Sequence, residues 1–154
     1  MPPDNLDTFT AELDRIDAAI PQAIADLTAS LAIVGYDDVV RNSPVVSGAY
    51  RAENVIGEGN TEEAVTRLLY EPPNRPGPDA IVKLGGGVPL EPPNIGDAKS
   101  AVAGVEPFDV VTILNQRFYS HFVEDRHATY QLAADRIAGV AATVKLEIPG
   151  FDRG

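Results

Sequence analysis

The fold of this chain is decided by its N-terminal stretch, residues 5–40, which reads NLDTFTAELDRIDAAIPQAIADLTASLAIVGYDDVV. Apolar residues recur along it at spacings of three and four, the pattern of a helix with one apolar face. They are Leu6, Phe9, Leu13, Ile16, Ile20, Ile24, Leu27, Leu31 and Val34. Pro21 lacks an amide proton and clashes with the carbonyl four residues back, so we expect a kink or a break there. The unbroken phase of the stripe favours a kink. The helix should end before Ser43, because Ser43 precedes a proline.

Strand patterns and loops follow this helix. Residues 108–114, FDVVTIL, give the strongest strand pattern, β-branched and nearly continuous, and should form a central strand. Residues 50–57 give a weaker strand pattern. Residues 61–70 fit either a short helix begun by Asn60 and Glu63 or a strand pairing back on 50–57, and we favour the strand.

Residues 71–96 contain seven prolines and five glycines. We predict two extended loops there, flanking a short strand at Ala80–Leu84. Loops this long in a small domain are generally functional, and we expect these to contact a neighbouring subunit. A short helix at 98–104, capped by Asp97, should come next.

The C-terminal part should contain a helix of four to five turns. Its apolar positions are Ala133, Ile137, Val140, Val144 and Ile148, and Pro149-Gly150 should end it. We therefore predict a single α+β domain over residues 1–154. In it, the long kinked N-terminal helix and the C-terminal helix pack on one face of a small antiparallel sheet, with long Pro/Gly-rich loops.

The composition excludes several classes of protein. The 12 Lys and Arg face 23 Asp and Glu, giving a net charge of −11, so the chain lacks the basic surface of a specific duplex-DNA binder. An acidic surface lining a channel would repel phosphate, so DNA could slide through such a channel without being bound. The absence of cysteine excludes disulfides and Cys-based metal sites. Apolar stretches are interrupted by charged residues and the N-terminus is acidic, so we expect neither a membrane span nor a signal peptide.

The most enzyme-like cluster is His121, Glu124, Asp125 and His127, which holds both histidines of the chain. On a helix, His127 lies well off the face that His121 and Glu124 share, and on a strand the two histidines would be about 20 Å apart. We interpret the cluster as a polar turn with surface histidines. The sequence also lacks a Gly-x-Ser-x-Gly elbow. We therefore expect no catalytic residue, no cofactor and no metal.

A rigid turn is predicted at Ser43–Gly48, which reads Ser-Pro-Val-Val-Ser-Gly. Pro44 fixes the backbone, Ser47 can bond to its own turn, and Gly48 supplies any positive φ that is needed. Arg51 follows this turn. Its guanidinium is well placed for a bidentate pair with Glu124, either within one subunit or across an interface.

A second segment, Asn115-Gln116-Arg117-Phe118-Tyr119 followed by Glu124, completes a pattern with the first. In this order, the two segments resemble the tail-completion (neck) family of long-tailed double-stranded-DNA bacteriophages. Members often read Thr-Pro-Val-Asp-Thr-Gly then Arg, and Asn-Asn-x-Pro-Tyr then Leu-Glu. Asn115, Tyr119 and Glu124 stand at the family's Asn, Tyr and Glu, whereas Phe118 replaces the Pro.

The resemblance implies a structural protein of the virion, assembled in the host cytoplasm. It would form a homo-oligomeric ring around the DNA channel at the junction of head and tail, without catalysis or cofactor, and would contact neighbouring neck and tail proteins. A hexamer is one stoichiometry consistent with it. The alternatives are a tail-terminator or head-closure protein of the same neck, an acidic cytoplasmic binding module and, least favoured, a metal-dependent hydrolase.

Overall fold

The structure is a computed structural model, and it describes residues 5–45, 49–70, 92–117 and 119–145. The helices are α1 (Asn5–Asn42), α2 (Ala49–Ala52), α3 (Glu62–Tyr70), α4 (Ile95–Ala101), α5 (Ser120–His127) and α6 (Thr129–Thr143), and the strands are β1 (Asn54–Glu58) and β2 (Val111–Asn115). The predicted α+β class is confirmed. The predictions for Ser47, Gly48, Ile148 and the strand at Ala80–Leu84 lie outside the described residues.

The N-terminal helix is one continuous element from Asn5 to Asn42, with Pro21 inside it. A break at Pro21 is therefore wrong, and the degree of bending there stays a prediction. The helix ends immediately before Ser43, as expected from the proline that follows. Ser43 itself is buried, and its hydroxyl donates to the carbonyl of Val39 at 2.7 Å.

The face of α1 that enters the core is not the apolar stripe seen in the sequence. Alanines and a few larger residues form the core face: Ala25, Ala29, Ala32, Ile33, Tyr36 and Val40. At 3.6 residues per turn, this face is rotated by roughly 150° from the stripe of Leu, Ile and Phe. α6 packs on the stripe's side of α1, where a Cβ at Gly35 would overlap the side chain of Ile137. The first turns of the stripe stay exposed, with Leu6 at 71% and Phe9 at 58%.

The strands β1 and β2 pair antiparallel, with Asn54 opposite Asn115 and Glu58 opposite Val111. Both begin about three residues later than the sequence predicted, and β2 does not lie between two strands within the described part of the chain. Residues 50–52 belong to α2 instead of a strand.

Helices lie on both faces of this sheet, because α3, which we did not favour from the sequence, covers the face opposite α1. On one face, Ile56 and Ile113 pack into the cluster that contains Tyr36 of α1 and Ala98 of α4. On the other, Leu68 of α3 is 1% exposed, and a Cβ at Gly57 would overlap its side chain. Successive residues of a strand point to opposite faces, so Ile56 faces α1 and α4, whereas Gly57 faces α3.

The favoured strand at residues 61–70 is wrong, since these residues form α3. The alternative helix is right, but its N-cap is Thr61, whose hydroxyl accepts from the amide of Ala64 at 3.1 Å. The Thr61 cap satisfies an amide of the first helical turn, whereas a strand would need a neighbouring strand to bond its amides. The helix also buries Leu68, which the alternating pattern of a strand did not indicate.

Other helix boundaries also differ from prediction. The C-terminal helix α6 ends at Thr143, because Val144 is extended, and not at the predicted Pro149-Gly150. α4 starts at Ile95, earlier than predicted, because Asn94 and not Asp97 caps it, accepting from the amide of Gly96 at 2.8 Å. The predicted polar turn at residues 120–127 is α5. It meets α6 at Ala128, which has a left-handed φ of 47° and ends α5.

Candidate functional site

A buried polar network joins the two segments that carry the family resemblance. Its centre is the opposed pair Asn54 and Asn115, which are 2% and 9% exposed. The Asn115 side-chain amide donates to the carbonyl of Tyr50 at 2.7 Å and to Oδ1 of Asn54 at 3.0 Å. The Asn54 amide donates to Ser43 Oγ at 3.1 Å and to the Arg51 carbonyl at 3.0 Å. The network thereby connects the first segment, through Ser43, Tyr50 and Arg51, to the end of β2.

Two tyrosines from helices complete this network. The hydroxyl of Tyr36, on α1, donates to the Asn54 carbonyl at 2.8 Å, and that of Tyr130, on α6, donates to Asn54 Oδ1 at 2.7 Å. Four elements thus converge on one asparagine. Buried polar groups with several satisfied hydrogen bonds fix a specific arrangement of chain segments. This network orients the helices relative to the sheet.

The tyrosines of this region stay protonated at neutral pH. Burial raises the pKa of Tyr36 to about 12, with the charge of Asp97 adding to the effect. Burial raises the pKa of Tyr50 to about 12, and the charges of Glu124 and Tyr119 contribute. The pKa of Tyr130 is raised further, again chiefly by burial. None is poised to act as a nucleophile or base near neutrality.

Tyr119, predicted as a site residue, stacks on the first segment. Its ring centroid lies 6.5 Å from that of Tyr50, with the planes 29° apart. The guanidinium of Arg117 lies 6.0 Å from the Tyr119 ring and pairs with Glu53 at 2.7 Å. The stacking and the half-buried ion pair therefore bind the second segment to residues 50–53, and the cation–π contact joins Arg117 to Tyr119 within the segment.

Glu124, also a predicted site residue, caps the last helix. Its two carboxylate oxygens accept from the amide of Tyr130 at 2.9 and 3.0 Å, and Oε1 accepts from the amide of Gln131 at 2.9 Å. The N-cap residue Ala128 has no side chain able to do this. A carboxylate at a helix N-terminus satisfies free amides and interacts favourably with the helix dipole.

Three ion pairs of the described residues join Arg117 to Glu53, Arg136 to Asp38 and Arg41 to Asp37, and none of them bears on the predicted pairing of Arg51 with Glu124. The pairing stays a prediction, either within one subunit or across an interface. Arg51 lies on α2, and the charge of Glu124 reaches the neighbouring Tyr50. Pro44, the remaining predicted residue, is half-buried just after α1.

The two histidines lie on α5, both exposed, and the ring of His121 is 3.9 Å from that of Phe122. Within residues 5–45, 49–70, 92–117 and 119–145, no three His, Asp or Glu side chains group as a metal site would require. The expectation of no metal stays a prediction.

Sequence reasoning missed Asn54, Tyr36 and Tyr130 as partners of the predicted residues. The one local signal was Asn54 itself, because asparagine is depleted in strands and a buried one needs partners. Tyr36 and Tyr130 reach it from distant parts of the chain, and no spacing rule identifies such contacts.

The long helix α1 includes an 18-residue window of mean hydropathy 1.4, so by length and composition it is able to cross a bilayer. Only 11% of that window is buried within the protein. Core helices of soluble proteins and N-terminal signal sequences meet the same criterion. The expectation of no membrane partner therefore stays a prediction.

Comparison of the chain with known protein families, with curated proteins and with solved structures finds no match in any of the three.

Proposed function

We propose that this protein is a structural subunit of a bacteriophage neck, a tail-completion protein whose ring joins head and tail around the DNA channel. The observation that carries the proposal is the Asn54–Asn115 network. Asn115 and Tyr50, which belong to the two segments that resemble the family, are 65 residues apart in the chain, yet they are hydrogen-bonded in this buried network, which we call the joint. A shared structural role explains why both patterns occur in one chain.

The chemistry of this joint suits assembly better than catalysis. Asn115, Tyr119 and Glu124 hold backbone groups and rings of the same subunit. No activated nucleophile is found among asparagines, protonated tyrosines and a carboxylate that accepts three hydrogen bonds from two backbone amides. They form a rigid support for the turn at Pro44 and for the helix α5, which is exposed to partners.

The acidic surface supports the same proposal. With a net charge of −11, a ring of these subunits would repel phosphate and let DNA move through it. The terminator and closure proteins of the neck would share this property, so position within the neck requires a direct test.

Genetic removal of the chain from its phage tests the proposed function. We expect lysates of the deletion to accumulate DNA-filled heads and separate tails, with joined particles restored by the wild-type chain supplied from a plasmid. A variant with His121 and His127 both changed to Gln should restore joining equally well. Normal yields of joined particles from the deletion would refute the proposal.

A further inference from the structure

The outer edge of β2 carries backbone groups that have no partner among the residues that the structure describes. The amide of Gln116 donates to the Glu53 carbonyl at 3.0 Å, and that of Gly59 donates to the Val110 carbonyl at 2.7 Å. Antiparallel ladders alternate, so the N–H and C=O groups of Val111 and Ile113 must point away from β1. No residue that the structure describes bonds to them.

The outer edge of β1, by contrast, is closed. Its Asn54 carbonyl accepts from Tyr36, and its Glu58 carbonyl accepts from Arg67 Nη2 at 3.2 Å. The helix α4 also contacts β1. The two strands differ in burial accordingly, because three of five residues of β1 are buried but only one of five in β2. Within residues 5–45, 49–70, 92–117 and 119–145, the edge of the sheet at β1 is therefore covered and the edge at β2 is open.

The sequence of β2 does nothing to protect this open edge. It reads Val-Thr-Ile-Leu-Asn, without the charged residue or proline that keeps exposed edges from pairing. Exposed apolar residues precede it: Phe108 is 77% exposed and Val110 45%. Phe108 also has a φ of 69°, a left-handed conformation that is strained for an aromatic residue. An edge strand without charged residues or proline, next to exposed apolar side chains, is open to pairing with another strand.

The chain contains a segment suited to pair there. Ala80–Leu84, which reads Ala-Ile-Val-Lys-Leu, has strand-forming residues between proline-rich arms. The nine residues from 71 to 79, when extended, span about 30 Å. A domain of this length has a radius of gyration of roughly 15 Å. The arm is therefore long enough to carry the segment beyond its own subunit.

We propose that Ala80–Leu84 of one copy adds as a strand to the outer edge of β2 of the next copy. Each subunit would give one strand and receive one, a head-to-tail contact that closes into a ring at a suitable rotation. Backbone hydrogen bonds to Val111 and Ile113 would supply the pairing. Apolar side chains of the incoming strand would cover Phe108 and Val110. The proposal deepens the proposed function, on which the ring itself rests.

Disulfide trapping tests this contact without background, because the chain has no cysteine. One variant carries Val110→Cys, a position that would face the incoming strand in a non-hydrogen-bonded pair, where Cβ atoms are closest. A second set carries one cysteine at each position from 80 to 84. Because only positions on one face of the incoming strand can come close enough, Val110→Cys should link to at least one of these positions, and not to its immediate neighbours, at least tenfold faster than Arg41→Cys, an exposed control on α1, does.

Chains carrying both cysteines distinguish the two sources of the strand. If they close an internal disulfide while mixed single variants do not link, the edge is filled by the same chain and the proposal is wrong. No linkage above the Arg41→Cys control would also overturn it.

Proline substitution provides an independent test. Val82→Pro removes an amide from the incoming strand and should abolish assembly while leaving the thermal midpoint of the subunit unchanged. The matched control Val88→Pro, in the arm beyond the strand, should assemble normally. Assembly by Val82→Pro would overturn the proposal. If linkage occurs but the deletion phage still joins heads to tails, the strand exchange stands and the proposed function fails.

Discussion

The substitution Asn115→Ala should destabilise the protein strongly, because it removes three hydrogen bonds at the buried joint. The side chain donates to Tyr50 and Asn54 and accepts from the amide of Arg117 at 2.9 Å. Asn54 Oδ1 would keep Tyr130 as a partner. The Tyr50 carbonyl and the Arg117 amide would lose theirs. At about 1–3 kcal/mol for each unsatisfied group, we expect a loss of about 3 kcal/mol in the free energy of unfolding.

That loss is measurable by urea and thermal unfolding. For a domain of this size it corresponds to a fall in Tm of about 6–12 °C. The matched control is Asn60→Ala, since Asn60 is exposed, and it should change the free energy by no more than about 0.5 kcal/mol. The double variant Asn54→Ala/Asn115→Ala should lose less free energy of unfolding than the two single variants together, because the two side chains share a hydrogen bond. A loss below about 1 kcal/mol for Asn115→Ala would refute the reasoning.

Three further predictions follow from contacts elsewhere. Glu124→Ala should lower the free energy of unfolding by about 1–2 kcal/mol in urea titrations, because the first amides of α6 lose their acceptor, and an unchanged midpoint would contradict this. The pKa values of Tyr36 and Tyr50 are about 12 in the folded protein, against 10 in the unfolded chain. The free energy of unfolding should therefore stay constant below pH 10 and fall between pH 10 and 12. Urea midpoints that stay level from pH 9 to 11.5 would contradict the burial of these tyrosines. Gly35→Ala should destabilise by about 1–3 kcal/mol through its clash with α6, whereas Gly139→Ala, with open space around it, should stabilise by about 0.5–1 kcal/mol in thermal unfolding. Equal effects of the two glycine substitutions would be inconsistent with the packing.

Local patterns predicted the elements whose information is local. The periodicity of α1 and the β-branched run of β2 were enough to place both elements, and Ser43 before Pro44 marked the helix end. The ambiguous residues 61–70 needed the cap at Thr61 and the burial of Leu68 against Gly57 to decide for a helix. That burial depends on the sheet, which the segment's own sequence does not describe.

The core face of α1 was misread for a related reason. Large apolar side chains suggest a buried stripe, but a sheet packs closely where a helix presents small residues such as Ala29 and Ala32. The larger stripe is left for α6 and, in its first turns, for solvent. Hydrophobicity alone does not show which of two faces meets the core.

The candidate site was half accessible from the sequence. Asn115, Tyr119 and Glu124 came from the resemblance and prove to hold defined contacts. Their partners did not, because Asn54 and Tyr130 are separated by 76 residues and meet only once the sheet and α6 are placed. For Glu124, the sequence suggested Arg51 as partner, which stays a prediction, and it did not show that the left-handed turn at Ala128 brings the amides of α6 to the carboxylate.

The central claim is that this chain forms the ring between head and tail, and cryo-electron microscopy of purified particles tests it most directly. We expect density for the chain in a ring around the DNA channel at the neck, with α1 and the sheet recognisable in each subunit and a strand from one subunit beside β2 of the next. Particles whose neck is fully accounted for by other chains, with this protein absent or elsewhere in the virion, would contradict the claim.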